Sequence, residues 1–348
     1  MTDPSVRFPA EWEPQAAALI AWPNADTDWA DRLAEVEETY IALVAAITRF
    51  QPVVICVADD DVETYAEMRL RSNRIDMARL RFVTVAYDDT WLRDSGPISL
   101  VSATGFQLLD FRFTGWGGKF DASNDDRLVE RLDDQKLFVM NTRQPIDFAL
   151  EGGAIETDGA GTLLTTWQCL HERHPNASRE ELTAKLAGWL HQERVLWLDH
   201  GALEGDDTDA HIDTLARFAA VDAIVFQTCD DPTDAHYADL KAMADEIAAL
   251  CTSDGQPYRL FPLPWAKPIL DAGEHGQSRR LAASYANFLI INGAVLMPAY
   301  GDTADTEAAA VLARAFPDRE IVPVPCRPLI WQNGSLHCIT MQLPEGLV

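Results

Sequence analysis

Two hydrophobic periods alternate along this chain. Short unbroken apolar runs of strand length are separated by stretches whose apolar residues step by three and four, as on one face of a helix. Ala17–Trp22 is a strand closed by Pro23-Asn24, and Leu33, Val36, Tyr40, Leu43, Val44 and Ile47 mark an amphipathic helix over Trp29–Phe50. Val53–Val57 follows as a buried strand. Ile98–Val101 and Phe106–Phe111 are predicted as paired strands joined near Thr104-Gly105, with a helix over Asp126–Leu137. Ala154–Thr157 and Thr162–Thr166 flank Asp158-Gly159, a hairpin signal. Ser178 with Glu181 three residues on is a capping box opening the next helix, and Val195–Leu198 closes that unit.

The order continues downstream. Ile212–Ala219 and Ala223–Gln227 are expected as strands, Thr233–Leu250 as a helix and Tyr258–Phe261 as a strand. Tyr285–Ile291 and Ala294–Met297 then precede a helix over Thr306–Ala315 and a strand over Glu320–Val324. A unit of strand, strand, helix, strand thus recurs about every 50–60 residues, which predicts a closed array of like units; an ordinary open α/β sheet is the alternative. No stretch rich in Gly, Ser or Pro divides the chain, so residues 1–348 are expected to form one domain.

Composition narrows the function classes. The 348 residues are 47% hydrophobic and 24% charged, which excludes a disordered or collagen-like chain. Lys and Arg number 28 against 55 Asp and Glu, a net charge of −27. That balance excludes a nucleic-acid partner, since phosphate binding needs a basic face. It suits small cations, or serves solubility alone. Met1-Thr2-Asp3-Pro4 carries no basic or apolar leader, and the longest apolar runs are too short for a membrane span. A cytoplasmic protein without membrane contact is expected, and a homodimer is the commonest assembly for such a chain. Cys56, Cys169, Cys229, Cys251, Cys326 and Cys338 are scattered, with no C-x-x-C pair, which argues against a zinc ribbon or a disulfide scaffold. Cys169, Cys229 and Cys251 read as core cysteines.

Four polar motifs interrupt the apolar pattern. Trp91-Leu92-Arg93-Asp94-Ser95-Gly96-Pro97 marks a tight loop entering a strand, with Arg93 and Asp94 readable as a turn-stabilising ion pair. Glu151 lies between an apolar run and Gly152-Gly153, where a turn or a close approach of backbone or ligand is expected. Asp206-Asp207-Thr208-Asp209-Ala210-His211-Ile212-Asp213 places His211 and Asp213 on one face if it is a strand, as a charged pair, a metal-ligand pair or a satisfied polar cluster. Asn333-Gly334-Ser335-Leu336-His337-Cys338 sets a strand cysteine, a small core hydrophobe or a nucleophile, in a polar neighbourhood. Together they offer one thiol, one imidazole and three carboxylates. Carboxylates grip a planar guanidinium by parallel charge-assisted hydrogen bonds, and a thiolate can attack its central carbon.

At these residues the sequence resembles the agmatine deiminase family, which groups with the Porphyromonas-type peptidylarginine deiminases. The resemblance is carried by Pro9–Pro14 with Ala21-Trp22-Pro23, Trp91–Pro97, Gly115–Lys119, Leu150–Gly153, Gly161–Thr166, His211-Ile212-Asp213, Ala283-Ser284-Tyr285 with Asn287-Phe288, and His337–Thr340. It implies an α/β fold of pentein type, a five-bladed propeller with pseudo-fivefold symmetry. It implies Cys338 as nucleophile, His211 as general acid and base, Asp94 and Asp213 as guanidinium ligands, and Glu151 as a guanidinium contact that orients His211. Agmatine is the implied substrate, with no metal or organic cofactor. Departures occur at Asp209-Ala210, where relatives commonly have Asn-Gly, and at Gln332–Ser335, where they commonly have Gly-Gly-Asn. For the distal ammonium, Asp207 is the candidate among Asp206, Asp207 and Asp209. Trp91 and Trp116 either wall the aliphatic chain or belong to the core. Three alternatives stand beside this reading: a deiminase of peptidyl-arginine or another guanidino compound; a Mg²⁺- or Mn²⁺-dependent hydrolase using Asp94, Glu151, His211 and Asp213; and a non-catalytic propeller that binds polyamines.

Overall fold

The computed structural model describes residues 6–272 and 278–348, so the leader reading at Met1–Pro4 lies outside the described residues. The fold is α/β and falls into two compact units. Of the described residues, the first unit takes those up to Gly152 together with Ile290–Ala294 and His337–Val348; the second takes Gly153–Leu289 and Val295–Leu336. Among the described residues no helix is long and apolar enough to cross a membrane.

The first unit is organised by an apolar run. Every residue of Val53–Val57 is buried, the pattern of a central strand that must be covered on both faces. It pairs in parallel with Gln15–Ala21 on one side and Leu80–Thr84 on the other, and Gln15–Ala21 pairs antiparallel with the strand Met341–Pro344. The helix Leu33–Ile47 buries Val36, Tyr40, Leu43, Val44 and Ile47, the face expected from its period. Asp59 caps the helix Asp60–Ser72 by accepting the Val62 N–H at 2.8 Å. A second sheet joins Ile98–Ser102, Gly105–Arg112 and Asn141–Ala149, the first pair antiparallel and the second parallel.

The second unit repeats that local order. Ile155–Thr157 and Thr162–Thr166 are antiparallel, and Arg194–Leu198 joins in parallel after the helix Arg179–Trp189, whose capping box from Ser178 and Glu181 forms as expected. Ala216–Ala220, Ala223–Gln227 and Arg259–Leu263 follow the same rule across the helix Tyr237–Ala249. Leu289–Ile291, Ala294–Ala299 and Glu320–Pro325 form a further sheet, mostly within this unit. Leu270–Ala272 and Ser278–Arg280 make a separate hairpin.

Several elements differ from the sequence reading. The strand expected over Ile212–Ala219 starts only at Ala216, because Ile212–Thr214 is a 3-10 turn, and the one expected from Tyr285 starts at Leu289. Cys338 lies in a turn, not a strand. Cys251 is exposed, whereas Cys169 and Cys229 are buried.

The second unit is pinned by one interior ion pair. Arg217 is fully buried; its Nε donates to Glu156 at 2.7 Å and its Nη1 to the Phe288 carbonyl at 2.7 Å, while Glu156 also accepts the Phe218 N–H at 3.1 Å. Removing one member strands the other charge in a low-dielectric interior. Arg217→Met is expected to destabilise the protein by about 3–5 kcal/mol in urea titration. The double variant Arg217→Met/Glu156→Leu should recover most of that loss.

Candidate active site

Asp94 sits on the one-turn helix Leu92–Ser95, closed by the Gly96 N–H on the Leu92 carbonyl at 2.8 Å. Arg93 and Asp94 are both buried, so each charge needs a partner. Asp94 Oδ2 accepts the Trp116 indole N–H at 2.9 Å. Trp116 itself is held at φ 56°, a left-handed conformation that bulky residues seldom adopt. The Thr114 hydroxyl accepting from Gly117 N–H, and edge-on packing against Phe113 and Phe120, fix it there. Of the two tryptophans considered, Trp116 therefore touches the predicted site carboxylate, while Trp91 is buried against Trp29.

Arg93 is where three of the predicted motifs meet. Its N–H donates to the Cys338 carbonyl at 3.0 Å. Its own carbonyl oxygen lies 2.1 Å from where a Cβ on Gly152 would stand, so position 152 has no room for any side chain. Glu151, fully buried, immediately precedes that contact. The loops carrying Asp94, Glu151 and Cys338 are thus drawn together within the first unit. The Arg93 guanidinium engages Glu11 at 3.4 Å and Gln342 at 2.6 Å.

Cys338 is 3% exposed. The Thr340 N–H and hydroxyl both donate to the His337 carbonyl, at 3.1 and 3.0 Å, and this closes the turn that replaces the expected strand. Two other thiols are poor nucleophiles by environment: burial pushes Cys56 up to about 12 and raises Cys326 as well.

The second unit carries His211, Asp213 and Asp207. His211 and Asp213 are fully buried; His211 caps the 3-10 turn Ile212–Thr214 and Asp213 lies within it, so they do not alternate along a strand. The Thr214 hydroxyl donates to the His211 carbonyl at 2.9 Å, and the His211 N–H donates to the Thr208 hydroxyl at 3.2 Å; side-chain bonds to backbone win over a ladder here. The approach to His211 is strained. Asp209 and Ala210 have φ 65° and 67°, a left-handed conformation that L-residues resist. Asp206 offsets this by accepting the Thr208 and Ala210 N–H groups at 2.9 Å each, and Asp209 pairs with Arg173 at 2.6 Å. Beyond the turn, Ser284 donates to the Thr214 carbonyl at 2.6 Å and Asn287 to the Asp213 carbonyl at 3.4 Å. Asp206 and Asp209 are therefore occupied in holding the loop. Asp207 accepts from Asn333, whose carbonyl oxygen in turn accepts from Arg279 at 2.7 Å.

A model of the Porphyromonas-type peptidyl-arginine deiminases matches residues 7–344. The chain belongs to that family. It is 34% identical over 362 residues to the agmatine deiminase of Stutzerimonas stutzeri, covering 98% of this chain and 96% of that protein. Among solved structures, a Porphyromonas gingivalis protein provisionally described as an arginine deiminase superposes with a TM-score of 0.89 at 44% identity, covering 99% of each chain. A cysteine-to-serine variant of the C. jejuni agmatine deiminase, solved with substrate bound, superposes with a TM-score of 0.89 at 32% identity, covering 99% of this chain and 97% of that one.

Sequence reasoning passed over Glu11 and His337 as functional residues, although both lie in stretches that carry the family resemblance. The signal was a charged residue inside an otherwise apolar motif. It also passed over the acidic loop leading into Trp91. Asp125 accepts the Asp88 and Asp89 N–H groups at 2.8 and 3.2 Å, and Asp88 accepts the Asn124 N–H and side-chain amide at 2.6 Å each. Burial, reinforced by Asp28, pushes the Asp89 carboxyl up to about 7; burial, reinforced by Asp88, does the same for Asp125. Unfolded carboxyls titrate near about 4. The folded loop therefore binds protons the unfolded chain has released. Its contribution to stability is complete below about pH 4 and is lost as the pH rises through about 7. Calorimetry is expected to show a Tm that falls between about pH 4 and pH 7 and levels off above, with a shallower slope in Asp125→Asn.

Proposed function

We propose that this chain hydrolyses the guanidinium of agmatine to N-carbamoylputrescine and ammonia. The observation that carries the reading is the convergence on Arg93 of the loops bearing a buried thiol and two buried carboxylates, Cys338, Asp94 and Glu151. A guanidinium is a ligand whose charge and planar donors suit such a set. Full-length similarity to agmatine deiminases supports the same substrate.

In the proposed mechanism the Cys338 thiolate attacks the guanidinium carbon while Asp94 and Asp213 hold its N–H groups. His211 gives a proton to the departing nitrogen, and ammonia leaves an amidino-thioether on Cys338. His211 then takes a proton from water, the resulting hydroxide adds to the same carbon, and the C–S bond breaks to return the thiolate and release the carbamoyl product. Glu151 contacts the guanidinium and orients His211. Trp116 fixes the Asp94 carboxylate, Trp91 backs the site from the core, and Asp207 takes the distal ammonium. This chemistry uses no metal or organic cofactor. The five sheets of like strand order support a pseudo-fivefold pentein propeller, a single domain in which these residues face one substrate. A cytoplasmic homodimer without nucleic-acid or membrane partners completes the reading.

A second reading, arginine as substrate, draws on Arg279, a cation one residue removed from Asp207 through Asn333. A carboxylate-bearing substrate would want such a group.

The test is ammonia release, with EDTA present, from agmatine, free arginine and an arginyl peptide. Wild type is expected to turn over agmatine, and Cys338→Ala to lose turnover by at least about 10³-fold. Asp207→Ala should raise KM for agmatine far more than it lowers kcat. Preference for arginine over agmatine would favour the second reading, and activity retained in Cys338→Ala would overturn the thiol mechanism.

A further inference from the structure

We infer that Glu11 is a positioning residue for Cys338, acting through His337 and Arg93. The inference rests on the reading of Cys338 as nucleophile.

Glu11 is 6% exposed, and both of its carboxylate oxygens are engaged. Oε1 accepts the Ile290 N–H at 2.7 Å. Oε2 meets His337 Nε2 at 2.7 Å and the Arg93 guanidinium at 3.4 Å. The backbone beside it is tied down too, since Gln15 donates to the Glu11 carbonyl at 2.7 Å and to the Ile290 carbonyl at 2.9 Å. The carboxylate therefore stands at a fixed point.

Two of its partners, His337 and Arg93, are the residues that hold the nucleophile's backbone. His337 directly precedes Cys338, and its ring is tethered to Glu11 at one nitrogen. Arg93 binds the Cys338 carbonyl through its own N–H at 3.0 Å. The chain on both sides of the Cys338 α-carbon is thus anchored, directly or through one side chain, to the same carboxylate. With that backbone fixed, one rotor, χ1, sets the direction of the sulfur. Arg93 is also the neighbour of Asp94, so the one carboxylate ties thiol and guanidinium-binding acid into a common frame. A misplacement of about 1 Å in such a frame is enough to cost roughly 10²-fold in rate.

Two variants separate this role from a merely structural one. Glu11→Gln keeps an acceptor oxygen but removes the charge. His337→Leu removes the ring nitrogen and so breaks the tie to Cys338, while leaving the Glu11–Arg93 ion pair in place. Each is measured for thermal unfolding, for kcat and KM on agmatine, and for the pH profile of Cys338 alkylation by iodoacetamide, read at that residue by mass spectrometry. Both are expected to lower kcat by about 10- to 100-fold, with KM within about threefold. Both should also shift the Cys338 alkylation profile at temperatures where they remain folded. Folded variants with wild-type kcat and a wild-type alkylation profile would overturn the inference, even if their Tm falls. If Glu11→Gln does not fold, His337→Leu alone decides on the same criteria. If the wild-type protein releases no ammonia from any guanidine, the proposed function fails; the alkylation profile then tests the positioning by itself, and one that neither substitution moves overturns it.

Discussion

The contact that brings the loops of Asp94, Glu151 and Cys338 together in the first unit is made by backbone, at Arg93. Its N–H holds the Cys338 carbonyl and its carbonyl closes on Gly152, so two chain segments far apart in sequence are located against a single peptide. A buried guanidinium is costly unless paired. Here the cost is offset by Glu11 and Gln342, and the pairing fixes the peptide as well as the charge. Position 152 follows from this geometry: a methyl group there would stand on a carbonyl oxygen that cannot swing away, because the N–H of the same residue is bonded. The glycine pair after Glu151 is thus a steric requirement of the Arg93 contact.

The second unit solves a different problem. His211 and Asp213 are fully buried, and burying a titratable pair demands that the backbone supply their surroundings. The chain turns sharply through two left-handed residues, Asp209 and Ala210, which L-residues resist. Arg173 and the carboxylate of Asp206 hold that turn from either side, and Thr166 adds a hydrogen bond to the Ala210 carbonyl at 2.7 Å. The strain at these two residues is therefore compensated locally. Strain of this sort collects where function requires one geometry. Part of the acidic run before His211 is neither idle surface charge nor ligand, but scaffolding for the imidazole.

Much of the fold was legible because apolar pattern and burial agree. Val53–Val57, the Leu33–Ile47 helix, the hairpin at Asp158-Gly159 and the Ser178 capping box were readable in the sequence for this reason. The strands Leu80–Thr84 and Asn141–Ala149 were not, since both mix exposed and buried positions, and the polar helix Asp60–Ser72 buries only Ala66 and Leu70. The candidate site was legible in its residue types, yet not in its local shapes. Side-chain caps from Thr208, Thr214 and Thr340 turn the chain at His211 and Cys338, where β-branched and apolar neighbours read as strands. Glu11 was hidden for another reason: its partners Ile290 and His337 lie hundreds of residues away, and no local period records such a pairing.

That distance bears on how the protein comes into being. The strand Gln15–Ala21 is completed by Met341–Pro344, and 326 residues separate Glu11 from His337. During synthesis the early strand must wait, with one edge open, until nearly all of the remaining chain has left the ribosome. An open edge invites pairing with the wrong partner. The segment that closes it is also the one that delivers the thiol. A nascent or prematurely ended chain therefore has neither a finished first sheet nor Cys338, the nucleophile of the proposed function, and the same late step that seals the sheet brings that cysteine into place.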